Sequence, residues 1–465
     1  MRKRMFMAAL AVLSMSFAGM PSSATGVEGV SLALYGDGSA LVREVRTLDL
    51  SGPVVLEDVP ATLVPGSLGL RSLSTPGGAL LRRVLFRPGI SSGQEVLAKY
   101  VGRKVAVLLP DPRDASATVR REGVLLSAGG SPAFLLDDGV WVGEHRGVLL
   151  PELPEGLAPG PRLELGVERG GAARQRVELT YLCRGLAWSA DYSLVLDSAA
   201  GHGALTALAG LENASGTDFS GASVWLVAGE VARVAEPVMQ RVKVEMAHMD
   251  MAMDAGGMPE PVGVGEQYVY ALPGRVDLPS GAAVRAALLF APDVAVRIEL
   301  TSTFGVSIEQ RAGIMRQAVE ERLILKNDEA SGLGMPLPAG TVRVYRAGPD
   351  GAPLLAGEAR IGHVGVGGEA SLRLGSSFDV SVERVQTAWR STGKRSASST
   401  WEITARNGAD VEKRVRLVER FPGEWSLSGA TLPWKRLSSG EAAFDLLLPP
   451  GGGATTLRYT VGMDW

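Results

Sequence analysis

The sequence predicts an all-β protein of several domains, and three observations carry that prediction. Short runs of apolar and β-branched residues, punctuated by Gly, Pro, Asp and Asn, recur from Val27 almost to the end. The apolar period of 3.6 that marks an amphipathic helix is nearly absent. The chain is 465 residues long with 59 glycines and 27 prolines, long enough for two or more apolar cores and rich in the residues that turns require.

Taken in order, residues 1–24 have the three parts of an export signal: Arg2, Lys3 and Arg4, then an apolar stretch over 6–20, then Ser22, Ser23 and Ala24 as a small-residue cleavage site. The apolar stretch is shorter than the 18 or so residues of a membrane span, so a soluble exported protein is expected. The single cysteine, Cys183, lies far from the cleavage site. No cysteine is placed there for a lipid anchor, and no internal disulfide can form. Its strand-like surroundings predict a buried, inert thiol.

An N-terminal β domain is expected over 25–97. It opens with a hairpin of 30–35 and 40–45 around Gly36, Asp37, Gly38 and Ser39, a composition that supplies positive φ without steric cost. A further strand is predicted over 80–87. Four or five short strands between 101 and 142 predict a small SH3-like β-barrel over 98–150, and the prolines at 151–161 read as its exit linker. A central β-sandwich follows over 151–379, with strands around Trp188, Tyr192 and Trp225, then over 268–272, 283–290 and 294–300. Residues 317–326 fit helix or strand by pattern, and the apolar run before Asn327 decides for strand. The run 235–265, rich in methionine, predicts a flexible loop. Alternating apolar positions at 401–405, 411–418, 443–448 and 457–463 predict a C-terminal immunoglobulin-like β-sandwich over 380–465.

Charge and motifs exclude several classes. The formal net charge is −3 with both signs interspersed, so there is no basic stripe for nucleic acid. Phosphate-binding and dinucleotide-binding motifs are missing, and export would remove the protein from cytoplasmic ATP and NAD(P)H. No apolar run after the signal reaches spanning length.

Several strings together resemble a known group. They are Asp58-Val-Pro60 with Gly66-Ser67-Leu68, Lys99-Tyr-Val-Gly102, and the segment from Tyr181 through Trp188 to Tyr192. To these are added Leu211-Glu-Asn213 with Ser215-Gly216, Leu226-Val-Ala-Gly229, the segment 336–345, and Asn407 leading through Val415 to Trp425. On these residues the chain resembles the bacterial exported proteins of the DUF4139 family, which includes mucoidy-inhibitor-like proteins. The resemblance implies a largely β protein of the envelope, without an assigned activity and without catalytic residues to carry over. Longer mucoidy-inhibitor-like members have a coiled coil between their two conserved parts, where this chain has its small-barrel residues.

Three chemical candidates follow from the residues themselves. Met246, His248, Met249, Met251 and Met253 put thioethers and one imidazole in a short run, a donor set suited to Cu(I). Gly89, Ser91 and Gly93 match the spacing of a nucleophile elbow, after a strand-like run and before a short helical one at 94–100, and would make Ser91 a hydrolase nucleophile. The alternation of Leu457, Tyr459, Val461, Met463 and Trp465 fits either the last strand of an outer-membrane barrel or the core strand of a sandwich, and the low aromatic content, 6%, favours the sandwich. Tyr181–Tyr192 is expected as strand, bend, strand with its aromatics in the core, while Asp191 and Asn213 are candidate polar partners. With no convergent catalytic set, the function expected is non-catalytic: binding or assembling another envelope protein through β surfaces.

Overall fold

In the computed structural model, residues 26–111, 113–197, 201–230 and 258–465 are described. The expected export signal and the run Met246, His248, Met249, Met251 and Met253 lie outside them. The described chain is nearly all β, as expected. It forms two compact units: one of the described residues up to Val30 with Val42–Leu182, the other of Ser31–Leu41 with Cys183–Trp465.

One five-strand plan recurs along the chain. Its first two strands form a hairpin, its third and fourth pair antiparallel, and its fifth returns to pair with the second. The first instance uses Val27–Tyr35, Ser39–Asp49, Val54–Leu56, Arg162–Arg169 and Arg174–Arg184. The second uses Leu186–Leu196, His202–Asn213, Phe219–Ala228, Val276–Leu278 and the first part of Ala283–Gly305. The third takes the rest of Ala283–Gly305, then Glu320–Lys326, Gly340–Ala347, Pro353–Ile361 and Glu369–Ser376. The fourth is Val380–Gly393, Ser396–Asn407, Lys413–Arg420, Glu441–Leu448 and Gly453–Asp464.

The instances are joined by two rules. Each fifth strand leads directly into the next first strand: through Gly185, without interruption inside Ala283–Gly305, and through residues 377–379. At Gly185 the bend has φ +82, and a β-carbon there would sit 2.9 Å from the Ala214 backbone, so only glycine fits. The second rule is that each later third strand lies parallel to the first strand of the preceding instance. Residues 223–227 pair with 31–35, 340–345 with 190–195, and 415–420 with 300–305.

The long strand Ala283–Gly305 corrects one sequence expectation, which divided it at residues 291–293. Pro292 and Asp293 do interrupt the pattern, but as a bulge: Leu205 pairs with Ala291 and Gly203 with Val294, so two residues bulge opposite one. A proline without an N–H is tolerated there because a bulge removes its ladder bond anyway.

Alternation decides what is buried. The fourth instance packs two sheets against one core that includes Val382, Trp401, Ile403, Leu417, Phe444, Leu446, Leu457, Tyr459, Val461 and Met463. The C-terminal alternating residues therefore point into a protein core. That core also takes Leu300, Phe304, Val306, Met315 and Val319 from upstream of residue 380. Tyr181, Trp188 and Tyr192 are buried, as is Cys183, in the strand, bend, strand arrangement expected of them.

The first instance has its longest connection, residues 57–161, between its third and fourth strands. Within it, Gly147–Leu149, Lys104–Asp111, Asp114–Ser127, Ala133–Leu136 and Gly139–Val142 form a five-stranded sheet in that order. Tyr100, Val105, Val107, Leu109, Leu125, Phe134 and Leu136 make its core, and the Tyr100 hydroxyl donates to the Glu152 carbonyl at 2.7 Å.

Candidate functional site: buried polar anchors and open strand edges

Among the described residues, the candidates from the sequence do not converge. Ser91 Oγ donates to the Glu95 carboxylate at 2.9 Å, the Ser91 N–H donates to it at 3.0 Å, and Ser92 Oγ accepts from the Glu95 N–H at 3.2 Å. These bonds cap the N-terminus of the helix Gly93–Ala98, and the bonds from Ser91 hold the Glu95 carboxyl below its ordinary range. The strand before it, Ala79–Arg87, is antiparallel to Arg162–Arg169, whereas an elbow stands on a parallel sheet. The described histidines are dispersed among local contacts. His145 packs edge-on against Phe134, His202 Nδ1 is 2.8 Å from Asp293, and His363 Nδ1 accepts from the Ala339 N–H at 3.1 Å.

Asp191 and Asn213 are not brought together. In the hairpin, Asp191 is opposite Leu208 and Asn213 opposite Leu186. Asp191 instead binds Arg285 at 2.7 Å and Arg343 at 3.2 Å.

Asn213 belongs to a different pattern, one that sequence inspection missed. In each of the last three instances a buried asparagine, at the end of the second strand or just after it, ties two loops together. Asn213 Nδ2 donates to the carbonyls of Thr217 and Leu278, at 2.8 and 2.7 Å, and its Oδ1 accepts from Ser215 N–H and Oγ. Asn327 Nδ2 reaches the carbonyls of Met335, Val364 and Gly365, and its Oδ1 accepts from Gly334 N–H. Asn407 Nδ2 reaches those of Val411, Leu448 and Pro449, and its Oδ1 accepts from Ala409 N–H. The main chain repeats as well. The carbonyls of Asn213, Asn327 and Asn407 accept from Gly281, Gly367 and Gly452, all at positive φ just before the fifth strand. The signal for it was present: an apolar alternating strand ending in Asn, and a glycine just before the returning strand.

The first instance has Leu50 at that corner. Its N–H donates to the Ala173 carbonyl at 2.7 Å, the same main-chain contact that Asn213 makes with Ala282 and Asn327 with Gly368. A buried ionic network lies in the same instance. Arg46, fully buried, binds Glu44 at 2.7 Å and both oxygens of Asp58 at 2.8 Å, and the Tyr181 hydroxyl donates to Glu44. The fourth instance holds a counterpart on other strands. Arg384 and Glu419, both fully buried, make two parallel bonds of 2.9 Å, and the Tyr459 hydroxyl donates to Glu419 at 2.7 Å. Arg384 also donates to Gln317 and lies 3.7 Å over the Phe304 ring. Burial, then the neighbouring Glu419, pushes the Tyr459 hydroxyl well above its ordinary pKa.

Open strand edges face outward. Gly139–Val142 ends its sheet, with Val140 58% and Val142 67% exposed. The first strand of the fourth instance pairs with Met315–Gln317 only at residues 382–384, so among the described residues 387–393 have strand pairing on one side alone. Val54–Leu56 likewise ends the sheet it forms with Arg162–Arg169 and Ala79–Arg87.

These features define an all-β protein of tandem five-strand units with buried polar locks and unpaired strand edges. Residues 177–424, more than half of the chain, match the model of a family described as a domain of unknown function, DUF4139, and the chain belongs to that family. No curated protein matches it.

Proposed function

We propose that this is an exported protein of the bacterial cell envelope that acts without catalysis, binding or assembling another envelope protein through its open strand edges. The observation that carries this is the edge Gly139–Val142, whose Val140 and Val142 stand exposed beside unpaired main-chain groups. Such an edge offers hydrogen bonds for affinity and side-chain contacts for selectivity. The buried ionic and amide groups support the same proposal, because Arg46, Arg384, Asn213, Asn327 and Asn407 are engaged inside the fold. They lock strands and loops, whereas reacting groups need access to a substrate.

In-cell cross-linking of a tagged chain in its native host, followed by isolation from the envelope fraction, tests the proposal. A stoichiometric partner, lost when Val140 and Val142 are both replaced by Lys, is the expected result. Recovery of the chain alone, in a soluble cytoplasmic fraction, would overturn it.

A further inference from the structure

Three times in this chain, a third strand docks in parallel on the first strand of the instance before it. The series leaves one half of that pairing unused at each end. Among the described residues, the first strand of the fourth instance has no such third strand on it, and the third strand of the first instance, Val54–Leu56, lies on no such first strand. Both edges are open among the described residues. We propose that copies of this chain associate head to tail, residues 387–392 of one copy taking Val54–Leu56 and the residues that follow it from the next copy as a parallel strand. The inference rests on the edge-binding function above and names a partner for it, a second copy.

The position of the open edge fits. Upstream of it, Val382–Arg384 is occupied by Met315–Gln317, and the Gln386 side chain accepts from the Arg311 N–H and donates to the Glu309 carbonyl. From Thr387 to the turn, the strand pairs only with Ser396–Asn407, and the Trp389 indole N–H donates to the Ile308 carbonyl at 3.1 Å beside it. The three internal dockings also fall on the last residues of a first strand or its first half of a hairpin: 31–35, 190–195 and 300–305.

Charge supports the direction of pairing. Arg390, Lys394 and Arg395 are exposed at the hairpin end of the open edge. Val54–Leu56 is followed by Glu57 and Asp58, whose side chains are 69% and 54% exposed although each also meets an arginine of its own chain. In a parallel arrangement these carboxylates come to the end where the basic residues stand, whereas an antiparallel one would carry them away. Because the two edges are different surfaces, the contact is heterologous, and copies add in one direction to a growing chain unless the series closes into a ring.

The test is sedimentation velocity of the full mature chain over a range of concentrations and salt, with Arg390→Glu and Glu57→Arg. Both substitutions are at exposed positions, and matched thermal melts check that the fold is kept. The wild-type chain is expected to form species that lengthen with concentration and shorten with salt. Each single variant should associate roughly tenfold more weakly or worse, because like charges then face each other. Mixing the two variants, or combining both changes in one chain, should restore association, since opposite charges meet again. A chain that stays monomeric throughout, a closed dimer that does not grow, or variants that ignore the mixing all overturn the inference. A monomeric chain that still captures a different envelope protein in cells removes the second copy but keeps the edge-binding function. Absence of both removes the two together.

Discussion

The first and fourth instances of the repeated unit solve the same problem with different chemistry. Each must hold the corner where the second strand ends and the fifth begins, and each has a buried arginine paired with a glutamate that accepts from a tyrosine. In the fourth, the corner is locked by the neutral amide of Asn407, and the ion pair Arg384–Glu419 is fully buried. In the first, Leu50 occupies the corner, and Arg46 has a second carboxylate in Asp58, which is half exposed. The difference teaches that the plan needs a satisfied corner rather than one corner residue, and that a buried arginine, where one occurs, needs a carboxylate. A sole buried partner makes an interaction costly to break, and a solvated second partner makes it forgiving.

That contrast predicts the largest effect. Glu419→Leu leaves Arg384 buried without a carboxylate and should cost about 3–5 kcal/mol, read from urea unfolding by the fluorescence of the core Trp401 and Trp425. Glu44→Leu should cost clearly less, since Asp58 still binds Arg46. Equal losses would break the comparison. The double change Arg384→Met with Glu419→Leu should recover most of the loss, because well-packed apolar residues can replace a buried pair.

Next in size come the corner asparagines. Asn407→Leu or Asn327→Leu removes an amide from buried carbonyls and should cost about 2–3 kcal/mol, given about 1–3 kcal/mol for each buried group left unsatisfied. Hydrogen exchange sharpens the test: protection should fall at Gly452 for the first variant and at Gly367 for the second, whose N–H groups bond to those corners. Loss spread evenly over the chain would contradict a local lock.

A smaller effect is set by pH. The folded state holds the Tyr459 hydroxyl neutral well above the ordinary tyrosine pKa, so the stability it contributes is complete below about pH 10 and falls as pH rises beyond it. Alkaline melts should show this decline, and Tyr459→Phe should make it shallower, the remainder coming from Tyr192 and Tyr270, whose hydroxyls burial also pushes above the ordinary range. The smallest effect is expected at Asp191, whose partners Arg285 and Arg343 lie toward solvent. Arg285→Ala should leave the melting temperature almost unchanged.

Much of this structure was legible in local pattern. The first hairpin follows from Gly36–Ser39, where Gly38 takes φ +80 and Asp37 accepts from the Ser39 N–H. The inward alternation of Leu457, Tyr459, Val461 and Met463, the bend at Gly185 and the short helix after Ser92 were all readable from residue type and spacing. The recurrence of the unit was not, because its instances share few residues and their connections range from a direct run inside one strand to the long segment 57–161. Asn213, Asn327 and Asn407 stood within or beside recognisable strings, yet nothing local says that their amides bridge loops 37 to 65 residues apart in the chain, as Asn327 to Val364 and Asn213 to Leu278 do.

By itself, the sequence determined that the chain is β, where its strands alternate and which glycines and asparagines end them, because those properties depend on neighbours one to four residues away. Only the tertiary structure decided that the strands fall into one repeated plan, that Arg384 finds Glu419 and Tyr181 finds Glu44, and which edges are left unpaired. The physical reason is that β pairing and buried charge neutralisation join residues far apart in the chain, and a partner chosen across such distances leaves no trace in the local pattern.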